Sequence, residues 1–355
     1  VSRFVQEIHF TPAVSGASIA YAISGRGYPL VRAGHWMTHL EWDWQMPVWG
    51  PWIHALSERF HLFRYDNRGC GLSAAEPAPV TLDRLVDDLA AVVDASGQER
   101  VALLAPSQGG AAAITYAARH PERVSHLVLC DAFARGALVR QPGQRALIDA
   151  LARLVEEGWG QDNAAFRQLF TTQFFPGATP GQARAFNDMQ RLSCTPAQAA
   201  GIVRGLAEID ASPHLGAVRC PTLVMHCRGD ARVPFEEGRL LAAHIAGARF
   251  EILDSANHVP LQGEPAYGRM MELIAQFLPA SAGSTVAGPF KGLSSREQEI
   301  VELLAQGLDN AQIAARLGLA EKTVRNNVSA VFVKLEVESR AQAIVRAREA
   351  GFGKG

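Results

Sequence analysis

Lysine is nearly absent from this chain. Only Lys291, Lys322, Lys334 and Lys354 occur in 355 residues, and all four lie beyond residue 290. Residues 291–355 hold 10 Lys+Arg against 8 Asp+Glu, whereas residues 1–290 hold 24 against 27. The net charge of −1 therefore hides a compositional boundary, with the more basic part at the C-terminal end. Cysteine is also scarce: Cys70, Cys130, Cys194, Cys220 and Cys227 are odd in number, irregularly spaced and free of any CxxC. That pattern argues against a disulfide framework and fits a reducing cytoplasm. No apolar run reaches the roughly 18 residues of a spanning helix, and Val1-Ser2-Arg3-Phe4-Val5-Gln6-Glu7 lacks the charged start and apolar core of a signal peptide. The expectation is a cytoplasmic protein with no membrane partner. The scattered histidines show no metal-ligand spacing, so no metal and no cofactor is expected.

What is present divides the chain. Residues 279–290 are small, Gly- and Pro-containing and uncharged, the composition of a flexible linker. Residues 1–278 form one expected domain and 291–355 another. Upstream, apolar runs at 62–65, 101–104, 126–129 and 222–225 alternate with amphipathic stretches at 82–95 and 110–120. This rhythm predicts α/β architecture, a mostly parallel sheet with helices on both faces. Residues 134–214 break it. They read as mainly helical, with phenylalanines at 166, 170, 174, 175 and 186, and are expected to form a cap over the sheet or simply to pack helix on helix.

In the C-terminal part, Ser294 and Glu297 have the spacing of a capping box that opens a helix, and Gly307 ends it. A short second helix is predicted over Asn310–Leu317, a turn at Gly318, and a third helix from Glu321 to about Leu335. Val324, Val328, Val331 and Leu335 share one stripe. Lys322, Arg325, Asn326 and Ser329 share the other. Two short helices joined by a Gly turn, the second with a cationic and amide-rich outer face, describe a helix-turn-helix reader of double-stranded DNA. Arg and Lys suit guanine edges, Asn suits adenine, and the cations also hold phosphates. The alternative is a helical protein-interaction module. The strings LSSREQEI (293–300), NAQIA (310–314), KTVRNNV (322–328) and KLEV (334–337) resemble the C-terminal domain of LuxR/NarL-type regulators. That resemblance implies an all-α four-helix domain whose third helix enters the major groove, with Lys322, Thr323, Arg325, Asn326, Asn327, Ser329 and Lys334 on the DNA side. A fourth helix, about 339–350, would support dimerisation. The family usually has Ser where Ala320 stands and His where Asn327 stands. The first difference removes an N-cap hydrogen bond.

In the N-terminal part three motifs converge. The strand 101–104 runs into Ala105-Pro106-Ser107-Gln108-Gly109-Gly110 and then a helix, so a sharp turn exposes a serine at a strand's C-terminal edge. Asp230 follows the strand 222–225, and His258 follows a last strand at 250–253. A serine hydroxyl needs a base to become nucleophilic. His258 would be that base, and Asp230 would orient it and stabilise its cation. Asp131, after another strand, is a second possible acid. The order Ser107, Asp230, His258 resembles the α/β-hydrolases over about residues 4–278, although Ala105 stands where that family usually has Gly. The resemblance implies an oxyanion site made by the backbone N–H of Gln108 and one from the loop Ala33-Gly34-His35-Trp36, with His35 or Trp36 the expected donor. By the same resemblance, residues 65–73 form a structural turn. Five tryptophans, at 36, 42, 44, 49 and 52, crowd the segment after that loop and are expected to serve chiefly as core, with part of the group at a pocket mouth or a dimer surface.

Together these readings predict a ligand-responsive transcriptional regulator. Its α/β-hydrolase-fold domain would bind a small, fairly apolar molecule (an ester, lactone or amide), and a homodimer would bind promoter DNA. The rival reading is a working serine hydrolase, of esterase or lactonase type, with an appended DNA-binding domain.

Overall fold

The computed structural model describes residues 5–14, 16–74, 79–279, 290, 293–335, 337, 339–350, 352 and 353. Apart from Pro279 and Phe290, the linker expected at 279–290 lies outside the described residues, as do Lys291, Glu336 and Lys354. The chain divides into two compact units, Val1–Ala280 and Ser281–Gly355.

The first unit is built on an eight-stranded sheet in the order β1-β2-β4-β3-β5-β6-β7-β8. The strands are β1 (Glu7–Pro12), β2 (Ser18–Ser24), β3 (Tyr28–Arg32), β4 (Phe60–Tyr65), β5 (Val101–Pro106), β6 (Val124–Cys130), β7 (Thr222–Cys227) and β8 (Arg249–Leu253). β1 and β2 pair antiparallel and β2 meets β4 antiparallel, while every pairing from β4 to β8 is parallel. The central strand β5, VALLAP, is buried throughout. A strand covered on both faces reads as an unbroken apolar run. β1 escaped the sequence reading because it is largely exposed and polar residues interrupt it, and β2 because its small alanines and buried interior show no period-two alternation.

The helices of this unit are α1 (Leu40–Gln45), α2 (Gly50–Ser57), α3 (Leu82–Ala95), α4 (Gly109–Arg119), α5 (Ala137–Arg140), α6 (Arg145–Gly158), α7 (Ala165–Phe174), α8 (Pro180–Ser193), α9 (Pro196–Glu208), α10 (Phe235–His244) and α11 (Pro265–Phe277). α5 to α9 lie between β6 and β7, so the helical interruption expected at 134–214 is an excursion from the C-terminal edge of the sheet. α8 starts at a capping box, Thr179 with Gln182, and both α8 and α9 carry Pro in the first turn, where its missing N–H costs nothing.

The second unit contains α12 (Ser295–Ala305), α13 (Asn310–Leu317), α14 (Glu321–Lys334) and α15 (Arg340–Glu349). The Ser294–Glu297 capping box is formed in both directions, and Gly318 takes φ 64° at the end of α13. Ala320 caps α14 without a side-chain bond, as its methyl dictates. Two small apolar clusters hold the helices together: Ile300, Leu304, Ile313, Val324 and Val328 in one, and Phe290, Val301, Val331, Leu335 and Ala347 in the other. Glu297 does more than cap. Its Oε2 also accepts from Lys334 Nζ at 2.7 Å, which ties the start of α12 to the end of α14 and holds the carboxyl below its usual value.

No helix of the described residues is long and apolar enough to cross a membrane.

Two glycines inside helices make opposite predictions. A Cβ on Gly110 would lie 2.5 Å from Cβ of Ala132, whereas one on Gly201 would meet nothing within 4 Å. Gly110→Ala is therefore expected to destabilise the protein by about 1–3 kcal/mol through overpacking. Gly201→Ala should stabilise it by about 0.5–1 kcal/mol through helix propensity. Urea melts of the two variants check both signs.

Candidate active site and DNA-binding face

Ser107 joins β5 to α4 with φ 53°, in the left-handed region. A non-glycine residue persists there only when its surroundings hold it, at a cost of order 1–3 kcal/mol. The surroundings are visible. The Ser107 N–H donates to the Cys130 carbonyl at 3.0 Å and its own carbonyl accepts from Gly110 at 3.0 Å. A Cβ on Gly109 would sit 3.0 Å from both Cβ of Ala33 and the carbonyl oxygen of Gly34. The turn thus enters a space that only glycines at 109 and 110 leave open. Ala105, where a glycine was the usual choice, is fully buried in the strand and has an ordinary backbone conformation.

His258 and Asp230 meet as the sequence order implied: His258 Nδ1 lies 2.7 Å from Asp230 Oδ2. The other carboxylate oxygen of Asp230 accepts from the N–H groups of Arg232 at 2.7 Å and Val233 at 3.1 Å. Both residues are buried. On the chain side, His258 donates its N–H to the Phe174 carbonyl at 2.7 Å, and the Phe174 ring stands edge-on to the imidazole with centroids 5.2 Å apart. His258 Nε2 is buried and has no hydrogen-bond partner. A base whose second nitrogen is oriented by a carboxylate and whose first is free is placed to accept a proton. Ser107 and His258 are not hydrogen-bonded to each other in this arrangement.

Asp131 makes no hydrogen bond to His258. It ends β6 with φ 49° and accepts from the Cys227 N–H at 2.6 Å. Burial and the neighbouring Asp230 hold its carboxyl well above the usual range. Through the Cys227 bond it braces the end of β6 against β7. Asp131, His226 and Asp230 place ligand-type atoms within 4.8 Å of one another, but Asp230 is already committed to His258 and Asp131 to Cys227.

The loop after β3 lies against the serine turn. The His35 carbonyl accepts from Gln108 Nε2 at 3.2 Å and from Asn67 Nδ2 at 2.7 Å. The His35 ring points away, stacked on Trp49 with centroids 4.0 Å apart. Trp36 instead lines the cavity with Ser107 and Gln108, and its indole N–H donates to Gln190 Oε1 at 3.1 Å. Of the five clustered tryptophans only Trp36 borders the cavity. Trp49 and Trp52 are core residues, and Trp42 is exposed. Phe170 and Phe174 line the same cavity from α7, whereas Phe175 and Phe186 pack on each other. Sequence reasoning missed Arg140 and Arg232, which also line it. No periodic or motif signal marks them, since each acquires meaning only when α5 and the loop after β7 meet.

A second buried polar group underlies the loop. Arg32 and Arg64 are neighbours on β3 and β4, with Asp43 from α1 and Asp66 at the end of β4. Desolvation raises Asp43 to about 6 and Asp66 to about 7, and lowers Arg32 to about 9. Burial together with the Arg32 charge keeps His35 well below its ordinary value. Asp66 Oδ2 accepts from the N–H groups of Leu72 at 2.8 Å and Leu40 at 3.2 Å. Asp88 takes a two-point ion pair from Arg68, at 2.6 Å and 3.1 Å. The turn 65–73 is thus structural, and it pins the start of α1 and the loop after β3.

On the second unit, Val324, Val328 and Val331 are buried, whereas Lys322, Thr323, Arg325, Asn326, Ser329 and Lys334 of α14 are exposed and Asn327 is half-buried. Arg325 rests on Glu321 at 3.1 Å and Asn327 Nδ2 donates to the Thr323 carbonyl at 2.8 Å. Lys334 is held by Glu297 as described. Lys322 and Asn326 are the amine and amide on this face with no side-chain partner among the described residues.

The chain belongs to the α/β hydrolase fold family, whose model matches residues 43–265. It also carries a DNA-binding domain of the bacterial regulatory luxR family, matched over residues 291–347. A Caulobacter protein provisionally assigned as the carbamate hydrolase RutD is 27% identical over 227 residues, covering 59% of this chain and 78% of that one. The DNA-binding transcriptional activator DevR/DosR of Mycobacterium tuberculosis is 51% identical over 61 residues, 17% of this chain and 28% of that one. The crystal structure of a hydrolase from Pseudomonas aeruginosa superposes with a TM-score of 0.64 at 26% identity, covering 77% of this chain and 99% of that chain.

The buried Asp66 gives a pH prediction. Its folded value, about 7, lies above the ordinary 3.8. Between those limits the folded state keeps a proton that the unfolded state has lost, so stability falls as pH rises through this window, by at most about 1.4 kcal/mol per pH unit from one group. Asp66→Asn retains an oxygen acceptor for Leu40 and Leu72 and removes the titration. Denaturation between pH 5 and pH 8 should show a flatter stability profile in the variant than in the parent.

Proposed function

We propose that this chain is a ligand-responsive transcriptional regulator. Residues 1–278 form the sensor, 134–214 its cap, 279–290 the linker and 291–355 the DNA reader. The observation that carries this reading is the joint presence, in one chain, of a cavity built on a strained Ser107 turn and a luxR-type helix with an unpartnered Lys322 and Asn326. In this reading the cavity binds a small ester-, lactone- or amide-like molecule. Ser107, His258 and Asp230 act on or hold its carbonyl group. The N–H groups of Gln108 and of Trp36 face its oxygen. Trp36 is preferred to His35 as the second donor because it lines the cavity. Lys322, Thr323, Arg325, Asn326, Asn327 and Ser329 face DNA, and Lys334 steadies the reading helix through Glu297. The chain works in the cytoplasm as a homodimer on paired half-sites. The exposed Val345 on α15 supports an apolar contact between copies. For regulation, the ligand must favour one conformation over another, since equal affinity shifts nothing.

A second reading, a turning-over serine hydrolase with an appended DNA-binding domain, is favoured by one specific observation. The His258–Asp230 hydrogen bond is kept at 2.7 Å, although binding alone does not require it. Ser107→Ala separates the two. If the regulator reading is right, an effector ester still alters DNA affinity in Ser107→Ala. A response that vanishes while the ester still binds makes the acyl-enzyme or the product the signal.

For DNA, fragments selected by the full chain should share one sequence. Arg325→Ala should weaken binding to that sequence by roughly 5- to 100-fold, the equivalent of about 1–3 kcal/mol for a base-reading contact. Gel-shift titration checks this, and equal affinity and equal site preference in the variant would remove Arg325 from the reading set.

A further inference from the structure

Two guanidinium groups border the cavity that holds Ser107, and among the described residues no anion pairs with either. Arg140 ends α5 and Arg232 follows Asp230 by two residues. Among the described residues neither has a carboxylate within ion-pair distance. Glu237, a carboxylate that acts on Arg140 from a distance, gives its Oε1 to Arg135 in two hydrogen bonds. Asp230 spends one oxygen on His258 and the other on the N–H groups of Arg232 and Val233. Arg140 is steadied by the Arg135 carbonyl and lies 5.8 Å from the Phe133 ring centre. Arg232 lies 5.4 Å from the Phe174 ring centre and 5.8 Å from that of Trp36. These aromatic faces hold the cation in place and leave its N–H edges without acceptors.

The arrangement is costly as it stands. Withdrawing a cation from water is unfavourable unless a counter-charge is supplied, and two like charges on one small cavity add repulsion. Burial and the neighbouring Arg140 push the Arg232 guanidinium down to about 10, with Asp230 pulling the other way. Arg68, also buried, shows the usual solution, a carboxylate partner in Asp88. The remaining wall is apolar, with Ile148, Leu151, Val203 and Leu206. It suits a short hydrocarbon chain between a carbonyl at Ser107 and a charged end at the arginines. A carboxylate is the small planar anion whose two oxygens match a guanidinium edge.

We propose that the ligand of this cavity carries a free carboxylate, bound by Arg232 and Arg140, so that the molecule sensed is an anionic ester, lactone or amide rather than a neutral apolar one. This rests on the reading of Ser107 as the carbonyl-binding position and replaces the expectation of a fairly apolar ligand with a sharper class.

The test uses the full chain carrying Ser107→Ala, so that no turnover is needed. Monomethyl succinate, glutarate and adipate are titrated calorimetrically against their neutral counterparts, methyl butanoate, pentanoate and hexanoate. At least one anionic ester is expected to bind tenfold or more tightly than its neutral partner. Arg232→Gln should abolish that preference and Arg140→Gln reduce it, while affinity for the neutral ester stays within threefold. Thermal melts of both variants without ligand show that the fold is retained. Equal affinity for the charged and neutral members, no binding by any member, or a preference that survives Arg232→Gln overturns the proposal. The effect on DNA affinity is measured separately. A carboxylate preference with no change in DNA binding leaves this site standing and removes the sensor reading.

Discussion

Ser107 sits in a backbone conformation that a non-glycine residue adopts only under constraint, and much of the first unit is arranged around that constraint. The strand before the turn is buried along its whole length, so its end cannot drift. Gly109 and Gly110 let α4 approach the loop after β3 and the start of the excursion after β6, where any Cβ would collide with Ala33 or Ala132. The same approach brings the N–H of Gln108, the Trp36 loop and the serine oxygen to one cavity. The fold stores strain at this point because the parallel sheet on either side holds β5 in register.

Around the turn, charge is handled in two ways. Beneath the β3 loop, Asp43, Asp66, Arg32 and Arg64 are buried together and their ionisation is displaced by desolvation. In the cavity, Asp230 is saturated by His258 and two backbone N–H groups, while Arg140 and Arg232 have no counter-ion among the described residues. In the first arrangement both signs of charge are present, although among the described residues no ion pair joins them and several of their polar atoms stay without a partner. In the proposed complex, an anion from outside completes the second.

Much of this was legible in the sequence. The Ser107 turn announced itself because strand, small residues and serine occur in immediate succession. Asp230 and His258 are legible because each follows a short run whose residues read as a strand. In the second unit, Ser294, Glu297, Gly307 and Gly318 mark helix ends by local chemistry alone, and the observed helices begin and end beside them. The family model and the relatives agree with the two-part reading, an α/β hydrolase fold followed by a luxR-type domain. What stayed hidden depends on long-range contact. Arg140 and Arg232 are 92 positions apart and look like ordinary surface arginines until the cavity forms. Glu297 reads as a capping residue, and its bond to Lys334, 37 positions away, has no local signature. β1 is the edge strand, where exposed polar residues weaken the alternation that identifies a strand.

The central claim is that occupancy at Ser107 is felt by the DNA reader. A coupling of 1–3 kcal/mol corresponds to a change in affinity of roughly 5- to 150-fold. The most direct measurement is the Kd of the full chain for its selected DNA site, before and after Ser107 is capped with a serine-directed sulfonyl fluoride, with Ser107→Ala treated in the same way. The account predicts a shift of about fivefold or more in the capped protein and none in the variant. An unchanged Kd in protein shown by mass to be fully capped at Ser107 would contradict it.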